Sequence, residues 1–244
     1  VAKSIVRDKW LQYRILKESP ILAGRLPQTW LLNRPVTLSE MLRRYQSVVL
    51  KPRDGRYGHQ IRFIRTGKEA KVYHIHREKK TITAAGIRQL YNKLGSITRS
   101  SRYIIQIRLR LAQIQGRPFD IRIMVQRTKG AYSPWRVTGS YAKVAAKGYL
   151  ITNVASRIIP VKAAMKEACI YDQGLSVKAE RIAVLAAKRL GRRYPHLRQV
   201  GFDIGIDKKQ RIWIIEGNYK PDLLPFMLLD NAAMNRRIQW YMTH

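Results

Sequence analysis

The stretch from Gln199 to Asn218 constrains the chain most. It sets two apolar runs, QVGFDIGID and RIWIIEGN, on either side of the short polar link KKQ. Aliphatic and aromatic residues flanking so short a polar segment read as two strands of an antiparallel hairpin, each buried along most of its length. Pairing the strands brings Asp203 on the first beside Glu216 on the second. Asn218 stands two residues after Glu216, and residues two apart on a strand share a face. A buried strand thus ends by aiming two oxygen-bearing side chains in one direction, toward a third oxygen donor on its neighbour.

Hard oxygen donors of this kind suit Mg²⁺, which keeps some of its waters and also holds phosphate oxygens. Two adjacent carboxylates without a cation repel, and one of them tends to take up a proton. Asp207 has the same parity as Asp203 but adjoins the turn, and is expected to be solvated. An ordinary polar strand end remains the alternative reading of Glu216 and Asn218.

Elsewhere the periodicity is mixed. SIVRDKWLQYRILKESP carries a helical pattern that stops before Pro20, with a loop to Pro27; TWLL reads as a strand, and TLSEMLRRY as a helix capped near Thr37 or Ser39. SVVLKP and HQIRFIRT form a hairpin around RDGRYG, and KVYHIHRE alternates like a further strand. TAAGIRQLYNKLG reads as a helix capped by Thr83 and ended near Gly95. Two strands flank Gly116, and PWRVTGSYAKVAA continues the antiparallel pattern. SVKAERIAVLAAKRLGRRY is the clearest amphipathic helix, with Ser176 as cap and Ile182, Leu185, Ala186 and Leu190 inward. The terminal NRRIQWYMTH reads as a helix exposing Arg236 and Arg237. Hairpins rather than regular βαβ units give an α+β class, with a hinge near Tyr103–Gln106 dividing lobes 1–106 and 107–244.

Charge narrows the partners. Lys and Arg number 48 against 15 Asp and Glu, a formal net charge of +33 spread along the chain. Such a surface attracts polyanions whatever the fold. The expectation is non-specific affinity for nucleic acid or acidic polymers with a steep salt dependence, unless the charge serves solubility alone. The lone Cys169 excludes an internal disulfide and a cysteine-built zinc site. The longest apolar stretches are too short to span a bilayer. No charged-then-apolar leader opens the sequence, so a soluble, cytoplasmic protein is expected. His74 and His76 share a strand face, but no third ligand at metal spacing accompanies them.

Lys51 ends a buried strand and precedes Gly55 and Gly58 in VVLKPRDGRYG. Glycines let backbone N–H groups approach phosphate oxygens, and a lysine acts on them as a point charge. A glycine-containing hairpin explains the same residues without phosphate.

Taken together, DKW, LP-T, VVLKP..G..G, YIIQ, GRPFDIR, TGSYAKVA.KG..TN and GFDIGID…WIIEGN.KP resemble, in order, the ATP-grasp superfamily and within it the YheC/YheD endospore coat-associated branch. The resemblance covers nearly the whole chain. It implies two α+β lobes with antiparallel sheets, a nucleotide cleft between them, Mg²⁺ and ATP as cofactors, and a location at the forming spore or its coat. It also implies Lys9 and Lys51 as phosphate-binding lysines, and Gly55 and Gly58 in the loop over the triphosphate. By the same resemblance Gln106 and Ile107 are expected in the segment meeting adenine. It further implies that Arg122 faces the transferred phosphate, that Asn153 lies near the phosphates or acceptor, and that Asp203, Glu216 and Asn218 are the magnesium ligands. The implied reaction is carboxylate–amine ligation through an acyl phosphate, with Arg122 and Lys51 stabilising charge in transit.

The chain departs from the family pattern in places that bear on turnover. Bulky Arg56 and Tyr57 occupy the glycine loop, Lys143 stands where arginine is expected, and AAKG replaces AGKG. VASRIIP follows TN without glycines, and no acid after the hinge suits ribose hydroxyls. Three functions therefore stay open: a ligase acting on an acidic peptide or polymer, a nucleotide-binding structural protein of the spore without turnover, and a polyanion or nucleic-acid binder.

Overall fold

A computed structural model of the protein describes residues 8–55, 58–69, 71–99, 101–130, 133–172 and 174–244; Arg56, Tyr57 and the start of the expected first helix lie outside the described residues. By backbone proximity they form two units. One contains residues 8–13 and Pro27–Leu109, the other Arg14–Leu26 and Arg110–His244. The expected division at 106/107 thus compares with one at 109/110, and residues 14–26 group with the C-terminal residues. Specific bonds hold them there: Ile214 N–H donates to the Arg25 carbonyl at 2.8 Å and Arg189 Nε to the Ile15 carbonyl at 3.2 Å.

Helix α1 (Lys9–Lys17) starts where Asp8 caps it, the Asp8 Oδ1 accepting from the N–H groups of Trp10 (2.8 Å) and Leu11 (3.3 Å). The expected loop before Pro27 contains a single helical turn, α2 (Pro20–Ala23), because proline at the first position already has helical φ.

The N-terminal unit continues with β1 (Thr29–Leu32), α3 (Pro35–Tyr45), β2 (Ser47–Pro52), β3 (Arg62–Thr66), β4 (Val72–Arg77), β5 (Lys80–Ala85), α4 (Gly86–Leu94), a 3₁₀ turn (Gly95–Arg99) and β6 (Tyr103–Ile107). Its antiparallel sheet has the order β1-β6-β2-β3-β4-β5. Alternate residues Leu32, Val48, Leu50, Ile64, Ile75 and Ile105 bury against Leu38, Met41 and Leu42 of α3 and Leu90 and Leu94 of α4. Burial of each large side chain stabilises the unit by roughly 1.5–3 kcal/mol.

Three local expectations need correction here. Helix α3 begins at Pro35, so Thr37 sits buried inside it rather than at its cap. Thr83 caps no helix, because it belongs to β5 opposite His74, and α4 starts at Gly86. The supposed hinge Tyr103–Gln106 is an interior strand, paired on both sides.

The C-terminal unit holds β7 (Gln113–Ile114), β8 (Arg117–Gln126), β9 (Arg136–Ala145), β10 (Ala155–Ile159), α5 (Val161–Glu167), α6 (Gly174–Arg193), β11 (Gln199–Ile206), β12 (Ile212–Asn218), α7 (Leu224–Met227) and α8 (Ala232–Thr243). The sheet order is β10-β9-β8-β11-β12, with β7 on the end of β8, all antiparallel. Helix α6 lies across β8, β11 and β12. It covers the face bearing Phe119, Ile121, Ile123, Phe202 and Ile204, all essentially inaccessible. Ile182, Ala186 and Leu190 point inward as expected, but Leu185 is 37% exposed and Ser176 falls within the helix. On the opposite face, α7 and α8 close one end through Phe226, Met234 and Ile238, which pack on Met124 and Tyr141. The rest of that face is polar.

Candidate functional site

Strand register assembles the polar face row by row. Asp203 on β11 pairs with Arg122 on β8 and with Glu216 on β12, while Arg122 pairs with Tyr141 on β9. Cross-strand partners share a face, so Glu216, Asp203, Arg122 and Tyr141 form one transverse row. The adjoining row contains Asn218 opposite Gly201, and on the other side Asp120 pairs with Lys143. Asp203, Glu216 and Asn218 therefore lie on neighbouring positions of one face. A β-bulge follows Asp203 in its pairing with β12; such bulges re-aim side chains at the ends of ladders.

The charges are tightly coupled. Arg122 grips Asp203 with two donors, Nε to Oδ1 at 2.7 Å and Nη2 to Oδ2 at 3.1 Å. Lys143 Nζ donates to the same Oδ1 at 2.9 Å and lies 3.2 Å from Asp120 Oδ1. The Thr152 hydroxyl donates to Asp120 Oδ2. Burial opposes ionisation of Asp203, but Arg122 and then Lys143 outweigh it and hold its carboxyl below the ordinary range. Burial dominates at Asp120 and pushes its carboxyl up to about 6, with Lys143 opposing. The Lys143 ammonium is favoured by Asp120 and Asp203 against its own burial. Burial likewise raises the Tyr141 hydroxyl to about 12.

This donor set fits magnesium. Ionised Asp203 has about four lone-pair positions and, among the described residues, accepts three hydrogen bonds, which leaves one position. Glu216 and Asn218, both half-buried, add a carboxylate and an amide oxygen on the same face. Mg²⁺ takes one or two carboxylates plus phosphates and water rather than a full protein cage. Among the described residues no group of three or more His, Cys, Asp and Glu gathers as a metal cluster, and His74 and His76 sit on β4, with His76 Nδ1 2.9 Å from the Thr81 hydroxyl.

The other expected residues belong to the N-terminal unit. Buried Lys51 donates to the side-chain oxygen of Gln106 at 2.7 Å, and Gln106 Nε2 donates to the Thr29 hydroxyl at 2.8 Å. Lys9 Nζ donates to the Gly55 carbonyl at 2.7 Å, and its backbone N–H to the Arg53 carbonyl at 2.9 Å. With the Asp8–Arg53 ion pair, these bonds dock the start of α1 onto the loop. Gly55 packs so closely on Pro52 that a Cβ would come within 2.9 Å of its ring, and Gly58 has φ 71°. The Ile107 N–H is already donated to the Gln28 carbonyl. Asn153 is exposed in the turn before β10, next to Thr152.

Asp207 corrects the sequence reading. It is buried rather than solvated, accepting from the N–H groups of Lys209 (2.9 Å) and Arg211 (3.0 Å), from Arg211 Nε (2.8 Å) and from the Trp213 indole (2.9 Å). The sequence singles out neither Asp120 nor Thr152 beside this row, and marks Lys143 only as a departure from the family pattern. The two-residue spacing of Asp120 and Arg122 in FDIR carried a signal for Asp120.

The chain is similar to known proteins in sequence and in fold. The chain is 27% identical over 228 residues to the endospore coat-associated protein YheD of Bacillus subtilis (strain 168), covering 88% of this chain and 48% of YheD, so it spans about half of that relative's length. Its fold matches the biotin carboxylase–β,γ-ATP complex from Campylobacter jejuni (TM-score 0.58, 14% identity, 96% of this chain and 45% of that one). It also matches the ATP-grasp ligase PsnB complexed with a phosphomimetic variant of minimal precursor, Mg and ADP (TM-score 0.51, 18% identity, 96% and 57%). These likenesses are of fold. A family model described as YheC/D-like ATP-grasp matches residues 1–242, and the chain belongs to that family.

Proposed function

We propose that this protein binds Mg-ATP and uses it to join a carboxylate to an amine through an acyl phosphate. The observation that carries the reading is the row Glu216–Asp203–Arg122, with Asn218 and Lys143 on adjoining positions. It sets oxygen donors for a hard cation beside cationic groups on one sheet face. Family membership and the Mg and ADP in the PsnB complex support the same assignment.

In this reading Asp203, Glu216 and Asn218 hold Mg²⁺. Lys9, Lys51 and the loop bearing Gly55 and Gly58 bind phosphates, Gln106 and Ile107 meet the base, and Asn153 lies near the phosphates or the acceptor. Mg-ATP supplies a phosphoryl group whose transfer turns a carboxylate into an activated acyl donor. Arg122 and Lys51 offset negative charge during that transfer, which asks mainly for positioning and electrostatic stabilisation. The formal charge of +33 favours an acidic peptide or polymer as substrate. The coat association in YheD's name supports a place at the spore.

A second reading, nucleotide binding without turnover in a structural spore protein, draws support from Asp203. Both its oxygens are engaged by buried cations. One series of measurements separates the two. ATP should raise the melting temperature only with Mg²⁺, in proportion to ligand excess over Kd. Incubation with Mg-ATP and cell extract should release ADP and phosphate and yield a ligated product by mass spectrometry, both lost in Glu216→Gln. Mg-dependent stabilisation without ADP release favours the second reading. Absence of any Mg-dependent nucleotide effect overturns both.

A further inference from the structure

Asp120 and Thr152 have no part in the reading above and Lys143 enters it only as a neighbouring cation, yet all three are among the most buried polar side chains of the unit. Asp120 is used unevenly. Its Oδ2 accepts from Thr152, whereas among the described residues its Oδ1 makes no hydrogen bond of directed geometry. Folded proteins satisfy nearly every buried polar atom, so a carboxylate oxygen left in this condition needs a reason. The nearest cation to it is Lys143 Nζ, at 3.2 Å, and that ammonium directs its hydrogen bond at Asp203 Oδ1, 2.9 Å away.

Asp203 meanwhile faces competing demands. Arg122 and Lys143 already neutralise it. A divalent cation on its remaining lone pair would lie beside two positive side chains, with strong repulsion in so buried a place. Arg122 is pinned by its two-donor grip. Lys143 is not: an ammonium is a compact charge on a flexible stem with three rotatable donors, free to trade one acceptor for another, while a guanidinium holds a fixed fork. Its second acceptor is within reach, fixed in place by Thr152 and short of a hydrogen bond.

We propose that Lys143 has two seats, Asp203 Oδ1, which it occupies in the structure, and Asp120 Oδ1, onto which it shifts when a divalent cation takes Asp203. Asp120 is then a positioning residue. It touches neither cation nor nucleotide and makes Asp203 available by receiving the ammonium. The inference rests on the Mg-nucleotide reading of Asp203.

The test is the Mg²⁺ dependence of ADP binding to the full chain, by calorimetry or thermal shift at graded Mg²⁺. Asp120→Asn keeps the shape and an acceptor for Thr152 but removes the charged seat. The Mg²⁺ needed for half-maximal ADP binding should rise about tenfold, the scale for groups that support metal ligands from outside. In a Lys143→Gln background the same change should have little further effect, since no ammonium needs a seat. If Asp120→Asn does not fold, Lys143→Arg replaces it and should raise the Mg²⁺ requirement for the same reason. An unchanged requirement in the variant used, or an equal rise from Asp120→Asn with and without Lys143, overturns the two-seat proposal while leaving Mg-nucleotide binding standing. ADP binding by the unmodified protein that ignores Mg²⁺ overturns the underlying reading first, and the two failures are distinguished by the protein in which they appear.

Discussion

Asp203 and Asp207 lie four residues apart, are 6% and 4% exposed, and both have carboxyls held below the ordinary range against the cost of burial. By burial and charge they are twins. Their donors differ. Asp203 is held by the side chains of Arg122 and Lys143, whereas Asp207 is held by two backbone N–H groups of its own turn together with Arg211 and the Trp213 indole. Backbone donors cannot leave without undoing the turn, so Asp207 organises the link between β11 and β12. A lysine ammonium can change partner, so in the reading proposed above the Asp203 row is where a ligand enters. A buried, low-pKa acid becomes a candidate for function through the mobility of what satisfies it.

The largest test of this contrast removes Asp203. Asp203→Ala leaves Arg122 and Lys143 buried with one acceptor fewer each, and breaking a buried ion pair from one side costs about 3–5 kcal/mol. Urea unfolding should show a loss of that size. A loss below about 1 kcal/mol would mean that the row is wetter and looser than its hydrogen bonds imply.

The next effect is a pH dependence of opposite signs in the two regions. Asp120 ionises near pH 6 in the fold and near pH 4 when unfolded. Its contribution is therefore fully present below about pH 4 and is lost as the pH rises to about 6, a change of roughly 3 kcal/mol. Asp207, lowered in the fold, contributes stability above the unfolded carboxyl range that disappears as the pH falls through its folded value. Unfolding midpoints from pH 4 to 7 should thus show the wild type losing stability relative to Asp120→Asn, with nearly all of the divergence complete by about pH 6.5. Parallel curves would sink the burial argument for Asp120.

Asp207→Asn should cost less, about 2 kcal/mol, because an amide oxygen still accepts part of what a charged carboxylate accepted. Denaturation gives the size. The nucleotide response gives the contrast: Mg-dependent stabilisation by ADP should survive in Asp207→Asn and be lost in Asp203→Ala. Equal loss in both would erase the distinction drawn between turn and row.

How much of this was legible in the sequence depended on how local the cause was. The β11–β12 hairpin could be read because two apolar runs flank a short polar turn, and from it the pairing of Asp203 with Glu216 followed. The pairing of Asp120 with Lys143 could not. It depends on the register of β8 with β9, across a longer connection and a bulge between Met124 and Val125. Thr83 reads as a helix cap because β5 is exposed along most of its length and lacks the apolar alternation that announces a strand. Strand β10, half-buried or exposed throughout, gives no strand signal in the sequence for the same reason. The burial of Asp207 was hidden because its partners are mainly the backbone and side chains of a turn that reads, as a string, like solvated residues.

The smallest test asks on which side of the contrast the glycine loop falls. Gly58 has φ 71°, a conformation that costs other L-residues about 1–2 kcal/mol, so the turn alone explains a glycine there. Gly58→Ala should accordingly destabilise the protein by about 1 kcal/mol, readable as a small shift in the urea midpoint. If the loop also carries phosphate-binding backbone, as the nucleotide reading requires, ADP affinity should fall by several-fold as well, because the strained alanine turns those N–H groups away from the positions they hold with glycine. A midpoint shift with unchanged ADP affinity would put Gly58 with Asp207, a residue explained wholly by its turn. It would also move the weight of phosphate binding, in the reading proposed above, onto Lys9 and Lys51, whose ammonium groups now meet the Gly55 carbonyl and the Gln106 side-chain oxygen.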